Sequence, residues 1–280
     1  MIRGGYTRSM SIRNAFATLL LLAAASVATA APRTVTLATA DGSSPGLAAK
    51  ELAGILTHLN SSPDLKVVLK TYPSYDATYA AFKKGDADLM LVGAVKYVQA
   101  HSEIGAVPIV IEEPRWQESV IVVPHASTLK SVADLKGKRF AFGYEDSATT
   151  HLLPLLLLSK YHLTAADLGK AAFLGNDQTK IVDAVAAGTY DAGAVATVVY
   201  TANKDRVRAL ETSERIPGGT VVAHKELDPK LRERITSQFI SYKPAAEAHL
   251  RFPRGAAAAS DADYNKVRFL CKVLFKKTYM

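Results

Sequence analysis

Two periods of apolar residues alternate along this chain. Residues 33–39 alternate and are β-branched, and 65–71, 88–92, 106–111 and 118–123 form further short apolar runs. The same kind of run recurs at 138–143, 171–174, 191–195, 207–211 and 220–224. Each predicts a strand. Between them, 47–59, 75–84, 95–101 and 178–187 carry apolar residues at helical spacing. Residues 131–137 predict a short helix with a Ser cap and a Gly stop. The strongly apolar stretch 147–161 predicts a helix kinked at Pro154. The remainder, 228–242 and 261–277, is predicted helical, with a small alanine tract at 256–259. Strands alternating with helices imply parallel sheets covered on both faces.

One phrase occurs twice. Ala81-Phe82-Lys83-Lys84-Gly85-Asp86-Ala87-Asp88 leads into the apolar run 89–92, and Ala184-Val185-Ala186-Ala187-Gly188-Thr189-Tyr190-Asp191 leads into 192–195. Each reads as a helix end, a left-handed Gly stop, and Asp opening a buried strand. The recurrence predicts two similar α/β lobes, with a cleft between them suited to a small ligand. The strands at 118–123 and 220–224 flank the second lobe and are expected to be the crossings. Lobe 1 is then discontinuous, 31–123 and 220–280, and lobe 2 is 124–219.

The N-terminus sets the compartment. Arg3, Arg8 and Arg13 precede an apolar stretch from Ala15 to Val27, and Ala28-Thr29-Ala30 fits a small-x-small cleavage site. Residues 1–30 therefore read as a Sec signal peptide, with Met10 an equally good start. No Cys stands at the cleavage point, so an unlipidated, soluble periplasmic protein of about 250 residues is expected. The single Cys271 forms no intramolecular disulfide and reads as a buried core thiol. The formal charge is +8, and about +5 without the three leader arginines. Its basic residues are scattered, which argues against nucleic acid. A modest positive field suits an anionic ligand.

The segment from Gly143 to His151 follows a predicted strand and opens a helix. The first N–H groups there, with Ser147, Thr149 and Thr150, would make an anion site. The alternative is that Asp146 or Ser147 merely caps the helix. Tyr75 and Tyr97 stand at matched helix starts, with hydroxyls facing the cleft or simply packed at an interface. Asn176-Asp177 precedes a helix, and Asp177 is a site residue or an N-cap. Asp191 starts the next strand and, like Asn176 and Asp177, lies where a strand end or lobe edge meets the crevice, while its place matched with Asp88 allows a structural role for both. Acids in the site would require a ligand oxygen that still carries hydrogen. The histidines stand alone, without metal spacing, and no nucleophile elbow, phosphate loop or dinucleotide loop is present.

Taken together, Tyr72-Pro73-Ser74-Tyr75, Ala81-Phe82-x-x-Gly85-x-x-Asp88 and Gly93-x-x-x-Tyr97-Val98-x-Ala100 follow a familiar order. So do Asp134-Leu135-Lys136-Gly137 through Gly143, Ser147-x-Thr149 with Pro154, and Ala184-Val185-x-x-Gly188-x-x-Asp191-Ala192-Gly193-Ala194. The chain resembles the phosphonate-binding family of periplasmic solute-binding proteins of ABC transporters. The resemblance implies the type II periplasmic-binding-protein fold, two α/β lobes on a two-stranded hinge. It implies capture of a phosphate, phosphite or phosphonate type oxyanion, or an arsenic oxyanion, without catalysis, cofactor or metal. The implied partner is an inner-membrane ABC permease. A periplasmic sensor for a histidine kinase and an enzyme on the same scaffold are the alternatives. The implied ligand contacts are Tyr75, Tyr97, Ser147, Ala148, Thr149, Asn176, Asp177 and Asp191. The usual Ser-Thr-Ser run is Ser147-Ala148-Thr149 here, and Thr150 replaces the following Gly as a substitute donor. The usual His-acid pair is Asn176-Asp177, which removes a cation.

Overall fold

A computed structural model describes residues 32–41, 45–245 and 251–279, together with Met1 and Gly5. The leader expected over 1–30 lies outside these described residues apart from those two positions. In chain order the elements are β1 (Arg33–Ala40), α1 (Leu47–Leu59), β2 (Leu65–Tyr72), α2 (Tyr75–Lys83), β3 (Leu89–Val92), α3 (Ala94–Ile104) and β4 (Val107–Glu112). Then come β5 (Trp116–Gln117), β6 (Ser119–Pro124), β7 (Arg139–Phe142), α4 (Leu153–Lys160), β8 (Lys170–Phe173), α5 (Thr179–Ala186), β9 (Ala192–Ala196) and α6 (Thr197–Ala202). The last are β10 (Val207–Thr212), β11 (Ile216–Pro217), β12 (Thr220–Ala223), α7 (Pro229–Ser241), β13 (Ala256–Ala258) and α8 (Asn265–Phe275).

Two sheets organise these elements. One has six strands in the order β13-β4-β12-β3-β1-β2, and the other five in the order β10-β6-β9-β7-β8. Both share a motif. β1 pairs in parallel with β2 and β3, as β7 does with β8 and β9. A returning strand then lies antiparallel on the third, β12 on β3 and β6 on β9. This is the fold the sequence implied, two α/β lobes joined by a two-stranded connection. β3, β9 and β12 are buried at every position and β6 at its first five, which explains their unbroken apolar runs.

The repeated phrase has a physical counterpart. The Asp88 carboxylate accepts the Thr36 N–H at 2.8 Å, while the Asp88 N–H donates to the Thr36 carbonyl at 3.1 Å. Asp191 does the same for Arg139, at 2.7 and 3.0 Å. Each Asp therefore fastens the first residues of its strand to the neighbouring parallel strand.

Several expectations need correction. The predicted crossings at 118–123 and 220–224 are ordinary sheet strands, because β6 pairs with β9 and β10, and β12 with β3 and β4. The chain passes between the sheets at β5 and β11, which pair antiparallel through Ile216 with Gln117 and Pro217 with Trp116. Pro154 falls at the junction between a π-helical turn and α4. It sits in the first turn of α4, where its missing N–H is not needed. The irregularity lies just before it, in a π-helical turn (Ala148–Leu152) closed by the Leu152 N–H on the Ser147 carbonyl at 3.0 Å. α6 was not anticipated, and part of the alanine tract is the edge strand β13.

Ala148, Leu152 and Leu153 share an apolar cluster with Val95, Tyr97 and Cys271, so the segment after β7 packs against α3 and α8. Cys271 is fully buried, and burial pushes its thiol up to about 11. Among the described residues no helix is long and apolar enough to cross a membrane.

Candidate ligand-binding cleft

The loops that leave β2, β7 and β8 at their carboxyl ends face one another. Pro73, Ser74, Tyr75 and Asp76 of the first sheet meet Gly143, Tyr144, Glu145 and Asp146 and then Phe173, Leu174 and Gly175 of the second, around a cavity of about 510 Å³. Local chemistry sets each loop. The Ser74 hydroxyl caps α2 by accepting the Ala77 N–H at 3.1 Å. Gly143 has to be glycine, because a Cβ there would lie 2.7 Å from the Thr150 Cβ and closer still to its hydroxyl. Gly175 turns the chain with φ 90°.

Among the described residues, polar contacts of Tyr75, Tyr144 and Lys96 join the two sides of the cavity. The Tyr75 hydroxyl donates to Asn176 Oδ1 at 3.3 Å, and the Tyr144 hydroxyl donates to the Pro73 carbonyl at 3.0 Å. Lys96, only 2% exposed, donates to Asp76 at 2.7 Å, Asp146 at 2.8 Å and Gln99 at 2.9 Å. The Tyr75 and Tyr144 rings lie 5.3 Å apart, adding an aromatic contact across the cleft.

The structure brings some of the expected site residues together and not others. Tyr75 lines the cavity, and Asn176 reaches its hydroxyl. Ser147 stands at the helix start, where its hydroxyl accepts the Thr150 N–H at 3.1 Å, so it caps the turn. Ala148 is buried and Thr149 half-buried. Thr150, expected as a substitute donor toward the ligand, is buried with its hydroxyl on the Tyr144 N–H at 3.4 Å. It braces the Gly143 loop from behind. Asp177 accepts the Thr179 N–H at 3.1 Å and the Thr179 hydroxyl, one residue ahead of the α5 N-cap position at Gln178.

Tyr97 and Asp191 stand elsewhere. The Tyr97 ring is fully buried against Tyr264, with centroids 4.2 Å apart, and its hydroxyl donates to Asp261, which also pairs with Arg268. Burial and that hydrogen bond both raise the phenol's pKa. Asp191 opens β9 at the edge opposite the cavity, with Arg139 at 2.7 Å. The hydrogen bonds of Arg139 hold its carboxyl below the usual range.

Sequence reasoning missed Tyr144, Lys96 and the electrostatic influence of Arg251 on Tyr75. Tyr144 lies inside the singled-out Gly143 to His151 phrase, and Lys96 directly precedes Tyr97, so weak signals existed. Arg251 gave none. It pairs with Glu112 through Nε at 2.5 Å, and both act electrostatically on Tyr75 together with Glu51. Burial would lower the Arg251 pKa, but Glu112, Tyr75 and Glu51 outweigh it and keep the guanidinium charged. Glu51 is shifted upward, chiefly by burial. Hydroxyls, a helix start and a guanidinium are the donors an oxyanion needs. Among the described residues no group of three His, Cys, Asp or Glu side chains is arranged to hold a metal ion.

Comparison with known proteins gives a consistent picture. The family described as "ABC transporter, phosphonate, periplasmic substrate-binding protein" matches residues 42–264. A probable ABC transporter phosphite binding protein, PhnD1 of Prochlorococcus marinus (strain MIT 9301), is 29% identical over 153 residues, 51% of this chain. The match spans about half of that relative, 52%. The solved structure of PhnD1 from the same organism in complex with methylphosphonate aligns with a TM-score of 0.75 at 20% identity, covering 88% of this chain and 100% of that one. A binding protein component of an ABC phosphonate transporter from Pseudomonas aeruginosa gives 0.72 at 17% identity, covering 88% and 87%. The periplasmic aliphatic sulphonate binding protein SsuA of Escherichia coli gives 0.59 at 19%, covering 88% and 87%.

Proposed function

The chain belongs to the family of periplasmic substrate-binding proteins of phosphonate ABC transporters, and on that footing we propose that it captures a small phosphorus oxyanion and hands it to an inner-membrane ABC permease. The observation that carries this reading is the cleft itself. Loops from the carboxyl ends of strands in two sheets converge on one cavity, the usual ligand position in α/β folds. In this reading the two sheets act as two lobes, residues 32–115 with 218–279 and residues 118–215, and β5 and β11 are the hinge strands. Closure brings Tyr75 and Ser74 against the Ser147 helix start and Asn176. The leader at 1–30 delivers the protein unlipidated to the periplasm. Ligand contacts are Tyr75, Tyr144, Asn176 and the 147–149 turn, and no group is asked to make or break a covalent bond.

Calorimetric titration of ligand-stripped protein with phosphite, methylphosphonate, inorganic phosphate, arsenate and methanesulfonate tests this reading. Micromolar or tighter binding of one phosphorus oxyanion is expected, about 8 kcal/mol or more of binding free energy. Selective binding of methanesulfonate, or no heat from any of the five, would overturn it.

A further inference from the structure

The charges that line the cleft have the same sign as the proposed ligand. Among the described residues, the charged side chains lining the cavity are Asp76, Glu145 and Asp146. The cation that reaches two of them is saturated. Lys96 has three N–H groups and three short partners, Asp76 at 2.7 Å, Asp146 at 2.8 Å and Gln99 at 2.9 Å, so none is left for a ligand. Lys96 holds Oδ1 of Asp76 and Oδ2 of Asp146, and the second oxygen of each carboxylate keeps its capacity to accept. Asp76 is 79% exposed and turns that capacity to water, whereas Asp146 is 24% exposed. Asp146 also directly precedes Ser147, whose hydroxyl caps the turn proposed to receive the oxyanion. An oxyanion with no hydrogen left would set its full charge beside like charges there. One that keeps a hydrogen on oxygen brings less charge and offers a donor to a carboxylate.

From this arrangement we infer that the cleft takes its oxyanion in the monoprotonated form and that Asp146, oriented by Lys96, accepts the ligand's P–O–H hydrogen. The inference rests on the proposed capture of a phosphorus oxyanion and names its ionic form. The acceptor is also a filter. Phosphonates, phosphite and phosphate can hold a hydrogen on oxygen near neutral pH, but a sulfonate has none to donate and would leave the carboxylate facing a bare oxygen. The titratable groups around the two aspartates are Lys96, Glu145, Tyr144, His151, Cys271 and Tyr279. Burial holds His151 below 6.5 and raises Tyr144, with Cys271 pushed up to about 11 and Tyr279 to about 12, so these four keep their charge between about pH 7 and about pH 9.

The test titrates the full chain calorimetrically with phosphite, methylphosphonate and inorganic phosphate across that pH range, in which the three probes go over to dianions. Methanesulfonate, a monoanion throughout, and aminomethylphosphonate, which carries its own ammonium, complete the panel. Wild type is expected to lose affinity for the best of the three phosphorus probes, approaching about tenfold per pH unit once the dianion dominates. Near pH 7 it should prefer that probe to methanesulfonate by about tenfold or more, the usual worth of a hydrogen bond to a charged group. Asp146→Asn should flatten the pH profile and shrink that preference by about tenfold, because an amide can donate to an oxygen that has lost its hydrogen. Should Asp146→Asn fail to fold with Lys96 short of a partner, Lys96→Met with Asp146→Asn removes the stranded charge, and the same comparison decides. The wild-type profile needs no variant. An affinity that holds or rises with pH would overturn the acceptor and leave the proposed capture standing, as would methanesulfonate bound equally well. Tighter binding of aminomethylphosphonate than of any other probe would do the same, assigning the acids to an ammonium. Failure of wild type to bind any phosphorus probe would overturn both readings.

Discussion

Lys96 is the group whose removal tests the cross-cleft arrangement most sharply. It is 2% exposed, whereas its partners differ, with Asp146 24% and Asp76 79% exposed. Changing Asp146 to Ala leaves a buried ammonium with one solvated carboxylate and an amide. Breaking a fully buried pair from one side costs about 3–5 kcal/mol. Asp146 reaches solvent and Asp76 remains, so about 2 kcal/mol is expected. Changing Lys96 to Met keeps the stem's volume and removes the cation. Both carboxylates can then turn to water, and the cost should stay within about 1 kcal/mol. The double variant should resemble Lys96→Met, because no stranded charge is left for the second change to create. The coupling energy is then about 2 kcal/mol, favouring the double variant over the sum of the singles. Urea unfolding followed by circular dichroism, with Trp116 fluorescence as a second probe, measures it. Additivity within about 0.5 kcal/mol would refute the reasoning. So would a Lys96→Met variant less stable than Asp146→Ala.

Gly143→Ala should cost about 2–3 kcal/mol and weaken ligand binding, because its methyl group meets Thr150 and pushes the loop that lines the cavity; thermal melts and a methylphosphonate titration check both effects. Asp191→Ala should lower the melting temperature yet leave methylphosphonate affinity unchanged, since its partner is Arg139 at the far edge of the sheet; a lost affinity would return it to the site. Stability should also fall with acid. Asp191 and Glu103, the latter held at about 2 by its bonds to Lys83 and Gln99, have folded pKa values below their unfolded ones, so what they add is complete above about pH 5 and lost as pH falls through the folded values. His151 is shifted below 6.5 by burial, so the unfolded chain takes up its proton first and stability declines from about pH 6.5 downward. Melting temperatures of wild type and His151→Asn between pH 7 and 5 should converge as pH falls.

Much of the fold was legible because burial writes itself into composition. Leu89 to Val92 and Ala192 to Ala196 have no exposed position, and no polar residue interrupts them. α1 was read to the residue, since Ala48, Leu52, Ile55 and Leu59 form one buried stripe. The hinge was not legible, because β5 and β11 are two residues each and show no period. β13 was hidden because alanine serves helix, strand and coil alike, and here it takes its conformation from pairing with β4. Site residues were legible only where the partner is local. Ser147 capping Thr150 spans three positions, whereas Tyr97 meets Asp261 across 164 and Tyr75 meets Asn176 across 101. Arg251 lies outside any periodic element, and its partner Glu112 is 139 positions away.

The clearest repeat in the sequence lies at the edge of each sheet away from the cavity, for a physical reason. In a parallel sheet the amino ends of the strands expose N–H groups that a nearby carboxylate can take. Asp88 and Asp191 do so for Thr36 and Arg139 in the same way. A structural demand repeated in both sheets leaves the same letters twice. At the carboxyl ends the demands differ between the sheets. The first contributes Ser74, Tyr75 and Asp76, and the second Gly143, Tyr144 and Asp146. A ligand held between unlike partners needs complementary groups, so the two halves of its site have no reason to match each other. Asp191 entered the site candidates through the family resemblance, whereas its place in the repeat marks it as a fastening of β9 to β7. In a chain built from two similar halves, the binding residues are therefore to be sought where the halves stop resembling each other.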